Sequence, residues 1–275
     1  MTRFVVVPQW QGSASSRAMR LIDGALAIAG DLPRAATHVL EAPSEAGDGL
    51  GTGVRRLSAL RHTGERIRES AAPSPDAPHD AMVMVGGDSG VATAAALVWA
   101  EGVRRAGRAP GVLWLSAHPA LRDAESSDSG AFSSMAARAL VDAAVPAPID
   151  LPRLDRKALT LTAARSADEA DRATAERLGV TLLGDLETDP LVAAVAGADE
   201  LFVHVALDVL DPSAIVGVTD PSPFGPDTPA LVAAVRAVRA RVPVTGGALT
   251  GFAPATPEDA VEDLGTILRI IGALT

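Results

Sequence analysis

The chain has 275 residues, of which 48% are hydrophobic, 21% are charged and 3% are aromatic, and it contains no cysteine. Its 34 acidic and 24 basic residues give a net charge of −10, so duplex nucleic acid and anionic membrane surfaces, which attract clustered Lys and Arg, are unfavourable partners. Without cysteine the chain has no disulfide, thiolate nucleophile or thiolate metal site, so any metal must be held by His, Asp and Glu.

The length and the hydropathy pattern predict one cytoplasmic domain over residues 1–275. The apolar run at residues 4–7 is much shorter than the core of a signal peptide. No segment approaches the roughly 18 to 20 apolar residues of a membrane-spanning helix. No internal repeat or linker divides the chain.

Short apolar runs bounded by Pro, Gly or Ser recur along the chain and predict buried strands. They lack strict alternation of apolar and polar residues, which is typical of strands that are covered on both faces in a parallel sheet. The predicted strands are residues 4–7, 81–85, 112–115, 159–162, 180–183, 202–207 and 242–244.

The segment after the first strand is polar. Residues 47–53 are glycine-rich but lack the register of a dinucleotide-binding fingerprint, so they are predicted to form a flexible surface loop. The five arginines that follow include members of a helix that also carries Glu65 and Glu69, which favours a solvated helix face over an anion-binding or partner-binding face. They are Arg55, Arg56, Arg61, Arg66 and Arg68. Three histidines without neighbouring ligand types are predicted at the surface or at a strand edge: His38, His62 and His79.

Several helix ends can be read directly from the residues. Ser166 and Glu169 have the spacing of a capping box, and Gly179 is placed to end that helix in a left-handed conformation. Thr228 and Thr256 each precede a proline, which marks two further helix starts.

Two helical segments have informative apolar patterns. Residues 94–100 are apolar all round and should be deeply buried. In the last helix, the predicted buried face has apolar residues at spacings of three and four, namely Val261, Leu264, Leu268 and Ile271. Because strand and helix alternate throughout, we expect an α/β fold: a three-layer αβα sandwich around a mostly parallel sheet of about eight strands.

Ligands of such sheets bind beyond the carboxyl ends of the strands, so functional residues are expected directly after the apolar runs. Three segments at these positions are Gly-Gly-Asp-Ser-Gly at 86–90, Ser-Ala-His-Pro-Ala at 116–120 and Ala-Leu-Asp-Val-Leu-Asp-Pro at 206–212. In this order and spacing they resemble the ureohydrolase superfamily of arginases, agmatinases and formimidoylglutamases. The resemblance covers nearly the whole chain and implies an arginase-like fold, a homo-oligomer (trimer or hexamer) and, for the family, two manganese ions.

The resemblance also implies where the six manganese ligands of the family fall. These positions are Ser89, Ser116, His118, Ala120, Ala206 and Asp208. Only His118 and Asp208 retain a ligand side chain, and both bridging carboxylates are lost. Two manganese ions need carboxylates to neutralise them, so we expect no metal cofactor and no metal-activated hydroxide.

The substrate loop departs from the family in the same way. The family's Ser-Gly-Asn-x-His is here Ser129-Gly130-Ala131-Phe132-Ser133, and the acid that binds the guanidinium aligns on Gly251. The hypothesis is therefore a member that does not hydrolyse arginine or agmatine and has a binding, regulatory or structural role, as a subunit of a homo-oligomer or beside an active paralogue. A small-molecule ligand would bind in the altered pocket, whose other residues are predicted to be Asp88, Ser129, Ser133, His204 and Asp220.

His118 and Asp208 allow three interpretations. They could belong to a mononuclear metal site completed by Ser89, Ser116 or an acid of residues 122–128. A hydrogen-bonded His–Asp pair that fills the vacated volume is favoured, because the two groups satisfy each other whereas a metal needs three or more donors. Ser116, two residues from His118 on one strand face, could instead serve as a nucleophile with His118 and Asp208, although no nucleophile elbow or oxyanion hole accompanies it.

The alternative function is an enzyme with altered chemistry. It would hydrolyse amidino, formimino or amide C–N bonds with His118 and Asp208, using one metal or none.

Overall fold

A computed structural model describes residues 2–71 and 81–275. In this part of the chain, eight strands form one sheet and seven α-helices cover it. The strands are β1 (Arg3–Val6), β2 (Thr37–Val39), β3 (Met82–Val85), β4 (Pro110–Leu115), β5 (Leu159–Thr162), β6 (Thr181–Leu182), β7 (Glu200–Ala206) and β8 (Val244–Thr250). The helices are α1 (Arg20–Asp31), α2 (Leu57–Ser70), α3 (Ser89–Arg105), α4 (Glu169–Leu178), α5 (Thr188–Val195), α6 (Thr228–Arg241) and α7 (Pro257–Leu274).

The sheet is parallel throughout, and its strand order is β2-β1-β3-β8-β7-β4-β5-β6. Side chains alternate between two cores: on β4, Val112 and Trp114 pack on the side of α2, α3 and α4, whereas Leu113 and Leu115 pack on the side of α1, α5, α6 and α7. The strands are therefore covered on both faces, and the predicted three-layer α/β fold is confirmed.

The predicted strands agree with the sheet except at its edge and at β8. Six of them lie within two residues of the observed bounds. The predicted strand 242–244 ends where β8 begins, because Gly246 and Gly247 in its interior resemble a turn. A Cβ atom on Gly246 would lie 2.7 Å from side-chain atoms of both Phe202 and Trp99, so the glycine permits close packing within the strand. The short edge strand β2 was not predicted.

Two of the predicted helix N-caps are wrong, those of α4 and α6. The N-cap of α4 is Asp168, whose side chain accepts from the Asp171 amide while the Asp171 side chain accepts from the Asp168 amide. Ser166 therefore does not begin the capping box, although Gly179 ends the helix with a φ of 70° as predicted.

The predicted N-cap residue is wrong for α6 and correct for α7. Asp227, rather than Thr228, caps α6, because its side chain accepts from the Ala230 amide. Thr256 caps α7 as predicted.

The predicted buried face of α7 is only partly correct, since Ile271 is buried but the other three residues are not. Val261 is 70% exposed, and Leu264 and Leu268 are only partly buried. The side chain of Asp263 turns inward to accept from the Val216 and Gly217 amides, which rotates the apolar face. The buried residues are Ala260, Asp263, Ile267, Ile270, Ile271, Ala273 and Leu274.

The remaining sequence predictions concern α3 and the polar segment before α2. Residues 94–100 lie in α3 and are buried apart from the partly buried Val98. Residues 47–53 form a loop, and α2 carries surface ion pairs between Arg66 and Glu69 and between Arg68 and Glu65. His38 and His62 are exposed, whereas His79 lies outside the described residues. No helix in the described ranges is both long enough and apolar enough to cross a bilayer.

Candidate functional site

A cavity of about 480 Å³ lies over the carboxyl ends of five neighbouring strands, β3, β8, β7, β4 and β5. All six positions that the resemblance assigns to metal ligands line it, namely Ser89, Ser116, His118, Ala120, Ala206 and Asp208. Of the other predicted pocket residues, Asp88, Ser133 and Asp220 line the cavity, whereas Ser129 and His204 do not.

Asp208 follows β7 and is held by the end of β4. The Ser116 hydroxyl lies 3.1 Å from Asp208 Oδ1 and 3.2 Å from Oδ2, and the Ala117 amide donates to Oδ1 at 3.1 Å. Burial raises the pKa of Asp208, whereas the nearby His118 and these donors oppose the rise. One side of the carboxylate still faces the cavity.

His118 is oriented by Ser166, a residue that the sequence placed in a helix cap. The Ser166 hydroxyl donates to the Ala117 carbonyl at 2.6 Å and lies 2.8 Å from His118 Nδ1. Because its single proton is used by that carbonyl, we assign the Nδ1 proton to His118, which donates to Ser166. The other ring nitrogen, Nε2, lies 3.3 Å from Asp220 Oδ2 and 4.0 Å from Asp208 Oδ2.

These distances correct two of the sequence interpretations. His118 and Asp208 do not form the favoured hydrogen bond, and they leave an open cavity instead of filling it. Ser116 is not arranged as a nucleophile with His118, because its hydroxyl donates to Asp208 and accepts from the backbone amide of His118 rather than contacting the imidazole. The Ser116 hydroxyl bonds to Asp208 rather than to His118 because β4 and β7 are neighbouring strands, so that Ser116 and Asp208 meet beyond their carboxyl ends.

Asp88 lies in the part of the cavity nearest the amino-terminal segment. It caps α3 by accepting from the Gly90 amide at 2.8 Å, and it also accepts from Gln9 Nε2 at 2.9 Å and from the Gly12 amide at 2.7 Å. A Cβ atom on Gly12 would approach Asp88 Oδ1 to 2.3 Å, so only glycine fits there. Burial raises the pKa of Asp88, and the three donors oppose the rise.

His204 lies beneath the cavity, not in it. It is fully buried, its Nε2 lies 2.8 Å from Thr250 Oγ1, and its ring centroid is 3.8 Å from that of Trp114. Burial lowers the pKa of His204 to about 3, so the ring is neutral. The alternation that predicted a shared face with Asp208 fails, because β7 ends at Ala206 and residues 207–209 form a 3₁₀ turn.

Ser129 lies in a neighbouring loop. Its hydroxyl accepts from the Ala131 amide at 3.2 Å, and its carbonyl accepts from Arg55 Nη1 at 3.3 Å. The resemblance to the family's substrate loop had placed Ser129 in the pocket together with Ser133.

Arg165 is the main residue that the sequence interpretation missed. Its guanidinium bridges the turn that carries Asp208 and the loop that carries Asp220, at donor–acceptor distances of 2.6 to 3.3 Å. The acceptors are the carbonyls of Asp208, Val209, Leu210, Ser222 and Pro223. Its position immediately after β5, next to Ser166, was the available signal.

The donor set does not fit a two-manganese centre. Two of the six ligand positions are alanines, which cannot coordinate, and two are neutral serines. Within residues 2–71 and 81–275, no group of three or more His, Asp or Glu side chains is placed to hold a metal ion. Manganese prefers about six oxygen and imidazole ligands, with carboxylates balancing its charge.

The sequence pattern of the arginase family matches residues 25–266. Comparison with curated proteins gives no match. The arginase of Entamoeba histolytica, solved with L-ornithine, is 16% identical and superimposes with a TM-score of 0.83 over 99% of this chain and 97% of that chain.

Two further solved structures share the fold. The arginase of Bacillus caldovelox is 20% identical, with a TM-score of 0.76 over 98% of both chains. A formimidoylglutamase of Bacillus subtilis is 16% identical, with a TM-score of 0.70 over 99% of this chain and 86% of that chain. At these identities the superpositions describe a shared fold, and the chemistry must be argued from the cavity itself.

Proposed function

The chain belongs to the arginase family, and from this premise we propose that it is a member without a two-manganese centre, which binds a small molecule in the cavity and does not hydrolyse arginine or agmatine. The observation that carries the proposal is the convergence of all six ligand positions on one cavity, where four of them hold Ala or Ser. The cavity is retained while the groups that would hold manganese are replaced. This combination favours binding over metal-assisted hydrolysis.

The proposed setting follows from the family and from the charge. We place the protein in the cytoplasm as a regulatory or structural subunit, in a homo-oligomer (trimer or hexamer) or beside an active paralogue. Its net charge of −10 argues against a nucleic-acid partner.

Metal analysis tests the first part of the proposal. Protein purified without chelator and dialysed against excess manganese should retain well below one equivalent of manganese, zinc or iron. One or more equivalents of tightly held metal would contradict it. Urea release from arginine and agmatine, measured on the same sample, should stay at the buffer rate.

Restoring the ligands tests whether the missing side chains are the reason for the expected lack of manganese binding. The variant with Ser89→His, Ser116→Asp, Ala120→Asp and Ala206→Asp should unfold at lower temperature than the wild type without metal, because new carboxylates crowd Asp208. Manganese at a hundred times its Kd should stabilise it by about 2.7 kcal/mol. A matched variant with Asn at all four positions has similar side-chain bulk without the charges and should show no such rescue.

The second candidate is a hydrolase of amidino, formimino or amide C–N bonds. It is favoured by one observation, the open cavity beside His118 and Asp208, which would give a substrate access to both groups. Release of ammonia, urea or formamide from a panel of such compounds tests it. Activity that His118→Ala and Asp208→Asn both abolish would replace the binding proposal.

A further inference from the structure

Strand β5 carries two buried threonines, Thr160 and Thr162, on one face of the sheet. Its sequence Leu-Thr-Leu-Thr places the leucines in the core beneath α3 and α4 and the threonines on the side of α5. A buried hydroxyl normally has a hydrogen-bond partner in the protein. Thr162 donates to the Asp185 carbonyl at 3.0 Å, whereas the Thr160 hydroxyl has no partner among the described residues, although Thr160 is only 2% exposed.

Thr160 lines a second cavity, of about 320 Å³, at the amino ends of β7, β4 and β5. Strand β4 connects the two cavities, because Gly111 near its start lines this one and Ser116 just beyond its end lines the first. Much of the wall is apolar and comes from Pro110, Ala158, Val195, Ala198 and Leu201. A cavity of this size accommodates a small organic molecule.

The charged residues of the second cavity are Arg104, Lys157 and Asp155. Among the described residues, neither Arg104 nor Lys157, the single lysine of the chain, forms an ion pair. Arg104 donates to the Pro152 and Arg153 carbonyls at 3.3 and 2.9 Å, which leaves other N–H groups of its guanidinium free. Asp155 Oδ1 accepts from the Lys157 backbone amide at 2.9 Å. The three side chains leave one net positive charge beside an apolar wall.

We propose that the second cavity is a binding site for a small aliphatic carboxylate. The carboxylate group would accept from Lys157 Nζ, from the free N–H groups of Arg104 and from the Thr160 hydroxyl. Such charge-assisted hydrogen bonds are stronger than neutral ones, and a single anionic group neutralises the net charge of the lining. The aliphatic part would lie against Val195 and Leu201.

A cationic ligand fits this cavity less well. It would meet the net positive charge of the lining. The end of α5 offers it little compensation, because the Val195 carbonyl already accepts from the Ala198 amide at 3.1 Å. Asp155 is the only carboxylate among the lining residues, which is too few for a hard metal ion.

Calorimetric titration of the full chain with sodium 3-methylbutanoate tests the proposal, and 3-methylbutanamide, which keeps the shape without the charge, is the ligand control. The carboxylate should bind at one site per chain and about tenfold more tightly than the amide. Lys157→Gln should weaken binding of the carboxylate by about fivefold or more. Arg156→Gln removes the same charge from the neighbouring exposed residue, outside the cavity lining, and should leave the affinity unchanged.

The two threonines provide a second pair of variants. Thr160→Val replaces a hydroxyl that has no protein partner with a methyl group, so it should weaken binding of the carboxylate by about threefold or more without lowering the temperature of thermal unfolding. Thr162→Val breaks the hydrogen bond to the Asp185 carbonyl, so it should lower that temperature and leave the affinity unchanged.

Weaker binding in Lys157→Gln and Thr160→Val, but not in their controls, supports the site. Absence of binding, equal affinity for the amide, or unchanged affinity in Lys157→Gln or Thr160→Val would overturn it. Equal weakening by Lys157→Gln and Arg156→Gln would also overturn it, because the effect would then reflect net charge alone. So would equal destabilisation by Thr160→Val and Thr162→Val, because the Thr160 hydroxyl would then be paired within the protein. The function proposed for the first cavity does not depend on any of these outcomes.

Discussion

Two groups of polar residues differ in how their side chains are used. One is the buried set of Asp88, Thr250 and, beneath the cavity, His204, which we call the floor, and the other is the set of His118, Asp208 and Asp220 at the cavity wall. Asp88 accepts three hydrogen bonds, and His204 Nε2 pairs with the Thr250 hydroxyl in full burial. Each histidine has one ring nitrogen without a hydrogen-bond partner, His204 Nδ1 and His118 Nε2, but His204 is fully buried, whereas the His118 side chain is 38% exposed and lines the cavity. The floor therefore belongs to the buried framework of the fold, whereas His118 lies at the wall of the cavity.

Removing the carboxylate of the floor should have the largest effect. Asp88→Ala leaves Gln9 Nε2 and the Gly12 and Gly90 amides as buried donors without their acceptor, so we expect a loss of about 3–5 kcal/mol in the free energy of unfolding. Urea titration followed by tryptophan fluorescence measures it. Ser89→Ala, at the next residue, should cost less than about 0.5 kcal/mol. A loss below about 1 kcal/mol for Asp88→Ala would show that the floor is not structural.

Arg165 links the turn that carries Asp208 to the loop that carries Asp220, so its loss should separate these two segments. Arg165→Met removes the donors to five carbonyls and should cost roughly 2–3 kcal/mol, because part of that surface can recruit water. Amide hydrogen exchange should rise in residues 218–226, which carry Asp220, and stay unchanged in α3. Arg172→Met removes an exposed guanidinium that donates to one carbonyl and should change neither measurement. Unchanged exchange in residues 218–226 would mean that Arg165 does not hold that loop.

The pH dependence of stability should report the buried ring of His204. The unfolded chain protonates this histidine below about pH 6.5, whereas the pKa in the folded protein is about 3, so the unfolded state binds more protons in between and stability falls as the pH falls. Between pH 7 and pH 5 this costs about 2 kcal/mol.

Comparison of variants isolates that contribution. Urea unfolding at both pH values should show that His204→Gln loses about 2 kcal/mol less than the wild type on acidification. His38→Gln, on the exposed edge strand, should behave as the wild type does. Equal losses for His204→Gln and the wild type would contradict the buried neutral ring.

The two regions also differ in how far the sequence could predict them. Parallel strands bring their carboxyl ends to one edge, so the order of Asp88, His118 and Asp208 after three apolar runs was enough to place them near a shared pocket. The pairing within the pocket depends on side-chain directions over a few ångströms. Ser166 was interpreted as a helix cap, because its spacing to Glu169 matches a capping box, yet Asp168 takes that role and frees Ser166 to orient His118.

Backbone geometry set the other limit on what the sequence could predict. Period-two alternation along β7 put His204 on the face of Asp208, but the 3₁₀ turn at residues 207–209 changes the direction of the chain between them. Gly246 and Gly247 hid most of β8 because glycine favours turns, and only the packing of Phe202 and Trp99 against Gly246 explains its place in a strand. These contacts are tertiary and leave no local signal in the sequence.

The smallest effect should come from His118, and it tests the comparison most directly. His118→Ala removes a ring that is 38% exposed and that makes one side-chain hydrogen bond, and Ser166 keeps its bond to the Ala117 carbonyl. The expected loss in the free energy of unfolding is below about 1 kcal/mol. His204→Ala makes the same truncation in the floor, where the ring is fully buried against Trp114, and should cost about 3 kcal/mol or more. If His118→Ala were as costly as His204→Ala, His118 would be part of the framework of the fold. If the costs differ as expected, His118 is a side chain that the fold does not require, and the framework of the site lies in the floor beneath it.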